Sequence, residues 1–217
     1  MNIQDTLRDL KQQTHPIYID EAEWLNMVMT RNRTHEGFAQ VEMENGGVIK
    51  DHVSLSTKLG QEVFRVFAFR VLEELSEAMT SYDPDHRKEE LIDCFNYVVT
   101  CLLLDSTILN KAAVAKWLHR EADLVFGGKN LTVRQGFTYH NLGHFTKLLC
   151  GDVGDTLRNR AWMRNAQDHY FSGEAVLLGA FSGILNLIFS HFSDTQEFRL
   201  YFLAKDAVLQ FRLKSHY

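Results

Sequence analysis

Apolar residues recur at helical spacing along most of the chain, and the pattern predicts an all-α protein. The clearest stripe is Phe64, Phe67, Ala68, Val71, Leu75 and Ala78, on one face of a helix expected over residues 54–80. Ser81-Tyr82-Asp83-Pro84 ends that helix. Asp83 suits the N-cap of the next one, with Pro84 at the first helical position, where its missing N–H costs nothing. This second helix is expected over 84–104, and its part LIDCFNYVVTCLLL is apolar on nearly every side, the mark of a buried helix. Further helices are expected over 1–14, 20–33, 110–126, 155–170, 173–192 and 194–214, with short helical pieces within 140–149. Residues 34–50, with Gly37, Gly46 and Gly47, read as a loop.

Composition narrows the class. The 217 residues are 45% hydrophobic and 12% aromatic, enough for the core of a single domain, and the formal charge of −5 argues against a nucleic-acid-binding surface. Three cysteines, Cys94, Cys101 and Cys150, form no paired framework. Cys94 and Cys101 lie about 10 Å apart along one helix, so buried free thiols in a reducing cytosol are expected. The N-terminus lacks the signature of a signal peptide, and no apolar run approaches the roughly 20 residues that span a bilayer. Both point to a cytoplasmic location without membrane contact.

The candidate chemistry lies in two acidic clusters, Glu73-Glu74-x-x-Glu77 and Glu90-x-x-Asp93, on the two helices joined at Asp83-Pro84. With Val71 at the centre of the apolar stripe, Glu74 falls about 60° and Glu77 about 120° to one side, and Glu73 farther out. Taken alone these could be an ordinary charged helix face. Asp93 changes the balance, because an ionised Asp at the entry of an apolar helix is costly unless paired or metal-bound. Glu90 precedes it by one turn. Four carboxylates gathered there would repel one another without a cation. With no Cys or His in either cluster, the donors suit Mg²⁺, with Mn²⁺ as substitute.

The order E-E-x-x-E then E-x-x-D on consecutive helices resembles the all-α NTP pyrophosphatase superfamily, which includes MazG proteins, dimeric dUTPases and bacteriophage dCTP/dUTP pyrophosphatases. Glu90-Leu91-Ile92-Asp93 is most similar to the phage and dimeric-dUTPase branch, whose pattern is roughly E-L-[IV]-D-x-x-H-F; here Asn96 and Tyr97 take the last two places. That branch ends in K-N-x-x-N-x-x-R-Q followed by G-Y. This chain has Lys205, Arg212 and Tyr217 at the matching spacing, with Asp206, Leu209, Leu213 and His216 where the branch has Asn, Asn, Gln and Gly. The resemblance covers roughly residues 54–106 and 173–217 and implies a helical bundle with a helical insertion at about 108–172. It implies hydrolysis of a nucleoside triphosphate, such as dUTP or dCTP, to the monophosphate and pyrophosphate. In that reading Glu74, Glu77, Glu90 and Asp93 hold Mg²⁺, Glu73 or Glu74 is the general base, and Asn96, Lys205, Arg212 and Tyr217 contact the substrate. It also implies a homodimer of phage origin working in the host cytoplasm. The altered amide positions leave the base unassigned. A nucleotide-binding protein that has lost catalysis, a carboxylate-bound redox-metal bundle and a purely structural helical protein stay open as alternatives.

Other constellations are expected to be structural. His140 and His144 share a helix face that Cys150 or Asp152 could complete as a zinc site, but surface or core histidines are the simpler reading. Arg158, Arg160 and Arg164 suit a solvated face. Trp24, Trp117 and Trp162 suit core or interface anchors, with Trp24 a candidate to stack on a base.

Overall fold

The computed structural model describes residues 2–13, 19–44, 53–127, 139–153 and 174–215. Among the described residues every element is helical and there is no strand, as the apolar periodicity predicts. The helices are α1 (Ile3–Gln13), α2 (Glu21–Glu44), α3 (Lys58–Thr80), α4 (Pro84–Leu103), α5 (Lys111–Phe126), α6 (Tyr139–Thr146), α7 (Glu174–Ser190) and α8 (Thr195–Ser215). A wider π-helical turn, Lys147–Val153, continues α6. The helix expected over 155–170, with Arg158, Arg160, Arg164 and Trp162, lies outside the described residues, as does Tyr217.

The framework is the antiparallel hairpin of α3 and α4, pinned at both ends. At the tight end the Asp83 side chain accepts from Asp85 N–H at 3.0 Å, and Pro84 opens α4. At the far end Asp105, buried just after α4, accepts from Leu55 N–H at 2.7 Å and from the Thr107 N–H and hydroxyl at 3.0 and 2.5 Å. That ties the approach to α3 back onto the exit of α4. Helix α3 begins a few residues later than expected, at Lys58, capped by Thr57, whose side chain accepts from Gly60 N–H. The delay has a steric counterpart: a Cβ at Gly60 would lie 1.9 Å from the Ser54 carbonyl oxygen, so the turn over 54–57 closes only on a glycine.

Around this hairpin the aromatic core joins α2, α4, α7 and α8. Phe95 meets Phe198 edge-on at 5.0 Å between ring centroids and Phe202 at 6.0 Å; Phe189 meets Phe198 at 5.0 Å. Trp24 is fully buried among them, 5.7 Å from both Phe189 and Phe198. It is therefore a core anchor and not a platform for a base. Burial of each such ring contributes roughly 1.5–3 kcal/mol.

One expectation is overturned. Residues 34–44 are not loop but the second half of α2. Gly37 does not break that helix; it admits a neighbour, since a Cβ there would stand 3.0 Å from Leu213 Cδ1 on α8. Thr34, wholly buried, donates to Asp206 Oδ1 on α8 at 2.6 Å and accepts from Gln210 Nε2 at 2.7 Å. A small-residue seam of this kind looks like a breaker when the neighbouring helix is unknown. The cysteines are free, but only Cys94 and Cys101 are buried; Cys150 is exposed. No helix among the described residues is long and apolar enough to cross a membrane.

Asp105→Ala should destabilise the fold by about 3 kcal/mol, because it removes hydrogen bonds to a charged acceptor and leaves the buried Leu55 N–H unpaired. Denaturant unfolding measures this, and Asp105→Asn should recover part of the loss.

Candidate metal and ligand site

The hairpin sets the register of the acids. Glu74 lies six residues before the end of α3 and Glu90 six residues after the start of α4, so they stand level across the pair, about 9 Å from the turn. Asp93 follows one turn deeper into the bundle. One oxygen each from Glu74, Glu90 and Asp93 lies within 4.8 Å of the others. Glu90 is buried, and Glu74 and Asp93 are partly so.

The electrostatics reflect this crowding. Burial, then the Asp93 charge, then the hydrogen bond and charge of Glu90, push the Glu74 carboxyl from an ordinary 4.5 up to about 8. Glu90 is raised too, by burial and Asp93, with relief from Lys205 and His86. A hydrogen bond between the two glutamates raises Glu74 and lowers Glu90 within that balance, so the proton is held more firmly on Glu74. His86 Nε2 approaches Glu90 Oε1 at 3.2 Å from the exposed side.

Of the tail residues, Lys205 arrives at this spot. Its ammonium pairs with Asp93 Oδ2, with both side chains largely covered. Arg212, on the last turn of α8, is exposed and lies about 10 Å farther along the helix. Asp206 turns toward Thr34, and burial raises its pKa against the pull of that hydrogen bond and of Arg31.

Two of the expected acids stand apart. Glu77 is exposed and outside the group; it sits one turn nearer the Asp83-Pro84 turn and about 60° around the helix from Glu74. Glu73 is ion-paired with Arg70 on its own helix. The side chains of His140 and Asp152 lie outside what the structure describes; His144 and Cys150 are exposed.

Beside the acids opens a cavity of about 330 Å³, large enough for a small ligand. Asp93 forms part of its wall, with Arg31, His35, Phe67, Asn96 and Tyr97, and Leu209 closes it on the α8 side. Phe67 and Tyr97 lie 6.2 Å apart, tilted by 33°, and His35 meets Phe67 edge-on at 5.5 Å. Arg31 is buried: its Nε donates to the Asn96 carbonyl at 3.2 Å and its Nη2 to Thr100 Oγ1 at 3.1 Å. Asn96 itself is 4% exposed, and its Oδ1 has no hydrogen-bond partner. A buried amide oxygen left unpaired is costly and marks a place where a ligand or water completes the bonding.

No family model, curated protein or solved structure matches this chain. The chemistry of the site therefore rests on its own residues. Three carboxylates with hard oxygen donors could hold a divalent cation, and the raised Glu74 and Glu90 are what a carboxylate group shows when the positive charge beside it is insufficient.

Arg31 and His35 were not expected here. With Trp24, Met27 and Val28 they follow the i, i+3, i+4, i+7, i+11 stripe of α2, and two polar residues in an otherwise apolar stripe are a readable signal. Ending the helix at residue 33 left His35 off the stripe.

The titration predicts a stability profile. The folded protein keeps a proton on Glu74 that the unfolded chain releases near 4.5, so this group's contribution is fully present below that pH and is lost as pH rises through about 8. The melting temperature of metal-free protein should fall across that window. Glu74→Gln should flatten the fall, and Mg²⁺ or Mn²⁺ should offset it; thermal melts with and without chelator measure both.

Proposed function

We propose that this protein is a Mg²⁺-dependent nucleoside triphosphate pyrophosphatase, converting a (deoxy)nucleoside triphosphate, with pyrimidines such as dUTP and dCTP foremost, to the monophosphate and pyrophosphate. The observation that carries the reading is the meeting of Glu74, Glu90 and Asp93 with Lys205, from the far end of the chain, where Asp93 also lines a cavity with aromatic and amide walls. Acids alone would fit many roles. Acids, a cation and a part-apolar cavity together suit a ligand with a phosphate end and a flat organic end.

In this reading Glu74, Glu90 and Asp93 hold the cation. Mg²⁺ there would neutralise phosphate oxygens and lower the pKa of a bound water. Glu74 is the better candidate for accepting the water's proton, because it stands within the group whereas Glu73 is engaged with Arg70. Lys205 supplies positive charge beside Asp93, and Arg212 would reach phosphates farther out, with Tyr217 kept as a substrate contact from the resemblance alone. Phe67 and Tyr97 flank the base, and the Asn96 amide is the group that would bond its edge. The proposal includes the homodimer; Leu59, Val66 and Phe69, exposed along α3, supply an apolar strip for it.

A second reading is favoured by one observation. An ammonium already paired with Asp93 would also suit a protein that binds a nucleotide without hydrolysing it.

The deciding experiment is a panel of nucleoside triphosphates, including methylated and hydroxymethylated pyrimidines, incubated with Mg²⁺ and scored for pyrophosphate and monophosphate. Turnover is expected, with Asp93→Asn and Glu74→Gln each lowering kcat by at least about 100-fold. Nucleotide binding without turnover of any member would select the second reading, and neither binding nor turnover would sink both.

A further inference from the structure

We infer that Lys205 takes the place of a second divalent cation, so that each chain binds one Mg²⁺ or Mn²⁺ and carries its other positive centre on α8. This deepens the proposed function and rests on its metal site.

The inference starts from where the ammonium stands. Lys205 is not on the open rim, where a residue serving only phosphates would lie; it is paired with Asp93, one of the three grouped carboxylates. Its side chain is 13% exposed and that of Asp93 21%, so water screens the pair only in part.

Charge balance follows. The three carboxylates, when ionised, carry three negative charges. One divalent cation and one ammonium carry three positive charges, which neutralises the group. Two divalent cations beside the ammonium would leave an excess of two positive charges in a partly buried place before any substrate arrived, an arrangement that low local polarity penalises.

Ligand supply points the same way. Mg²⁺ prefers six oxygens in an octahedral shell, some of them water. The carboxylate best placed by sequence to serve a second ion, Glu77, is exposed and outside the group. Glu73 is engaged with Arg70. An ammonium needs no such shell: three N–H donors let it bond Asp93 and still reach an incoming phosphate oxygen.

A ligand is independently indicated by Asn96. Its side-chain oxygen is buried and has no hydrogen-bond partner, and the residue lines the same cavity as Asp93. The lysine thus pairs with the one carboxylate that belongs both to the acid group and to the cavity wall.

The test is a Mn²⁺ titration of the full chain without nucleotide, followed by the loss of the free-ion electron paramagnetic resonance signal, on the wild type, Lys205→Met and Lys205→Arg. Methionine keeps the length and apolar stem of the side chain, and circular dichroism verifies folding. The wild type and Lys205→Arg should bind one Mn²⁺ per chain. Lys205→Met should bind its first Mn²⁺ about tenfold more tightly, because a neighbouring positive charge is gone, and should admit a second. Two Mn²⁺ per wild-type chain, or unchanged affinity and stoichiometry in Lys205→Met, would overturn the inference. The wild-type stoichiometry decides even where the variant fails to fold. Two ions in the wild type would leave the proposed metal site standing and remove only the lysine's role; no ion at all would remove both.

Discussion

Three carboxylates held within 4.8 Å of one another in a partly buried place constrain everything around them. Glu74, Glu90 and Asp93 cannot all ionise there without positive charge nearby, and the free chain meets that demand in two ways. Burial and the Asp93 charge raise the pKa of Glu74 and Glu90, and the ammonium of Lys205 is brought to Asp93. The hairpin ends that fix the register, Asp83-Pro84 on one side and Asp105 on the other, matter for function because they keep like charges together against their repulsion. Folding energy from the core is in this sense spent on holding an unfavourable site in shape.

The helices were largely legible in the chain because their signals are local. The stripe from Phe64 to Ala78 and the Asp83-Pro84 stop need no neighbour to be read. Asp93 and Glu90 were legible for a different reason: a carboxylate at the entry of an all-round apolar helix has few places to go. Lys205 was legible only through the spacing of the tail, and its pairing with Asp93 rather than a place on the rim was not visible at all.

What was hidden depended on packing between distant segments. Gly37 reads as a breaker until α8 is laid against it, when it becomes the place where Leu213 fits. The misplaced end of α2 then hid His35, which stands with Arg31 in the cavity wall. Glu77 shares a helix flank with Glu74, yet a single turn toward Asp83-Pro84 puts it in solvent. Helical periodicity gives the angle around an axis, but depth in a bundle comes from where the partner helix starts. The position of Asp206 shows the same limit: an acid where an amide is expected looks like a change of substrate contact, while in the fold it accepts from the buried Thr34 hydroxyl.

The aromatic cluster has a consequence beyond cohesion. Phe198 and Phe202 project from the same helix as Lys205 and are locked against Phe95, two residues beyond Asp93 on α4. Sliding α8 by one turn would carry the ammonium about 5.4 Å from its carboxylate and pull both rings from their sockets. The rings therefore work as a gauge block: apolar shape, with no charge of its own, sets the separation between a cation and an anion that attraction alone would leave loose.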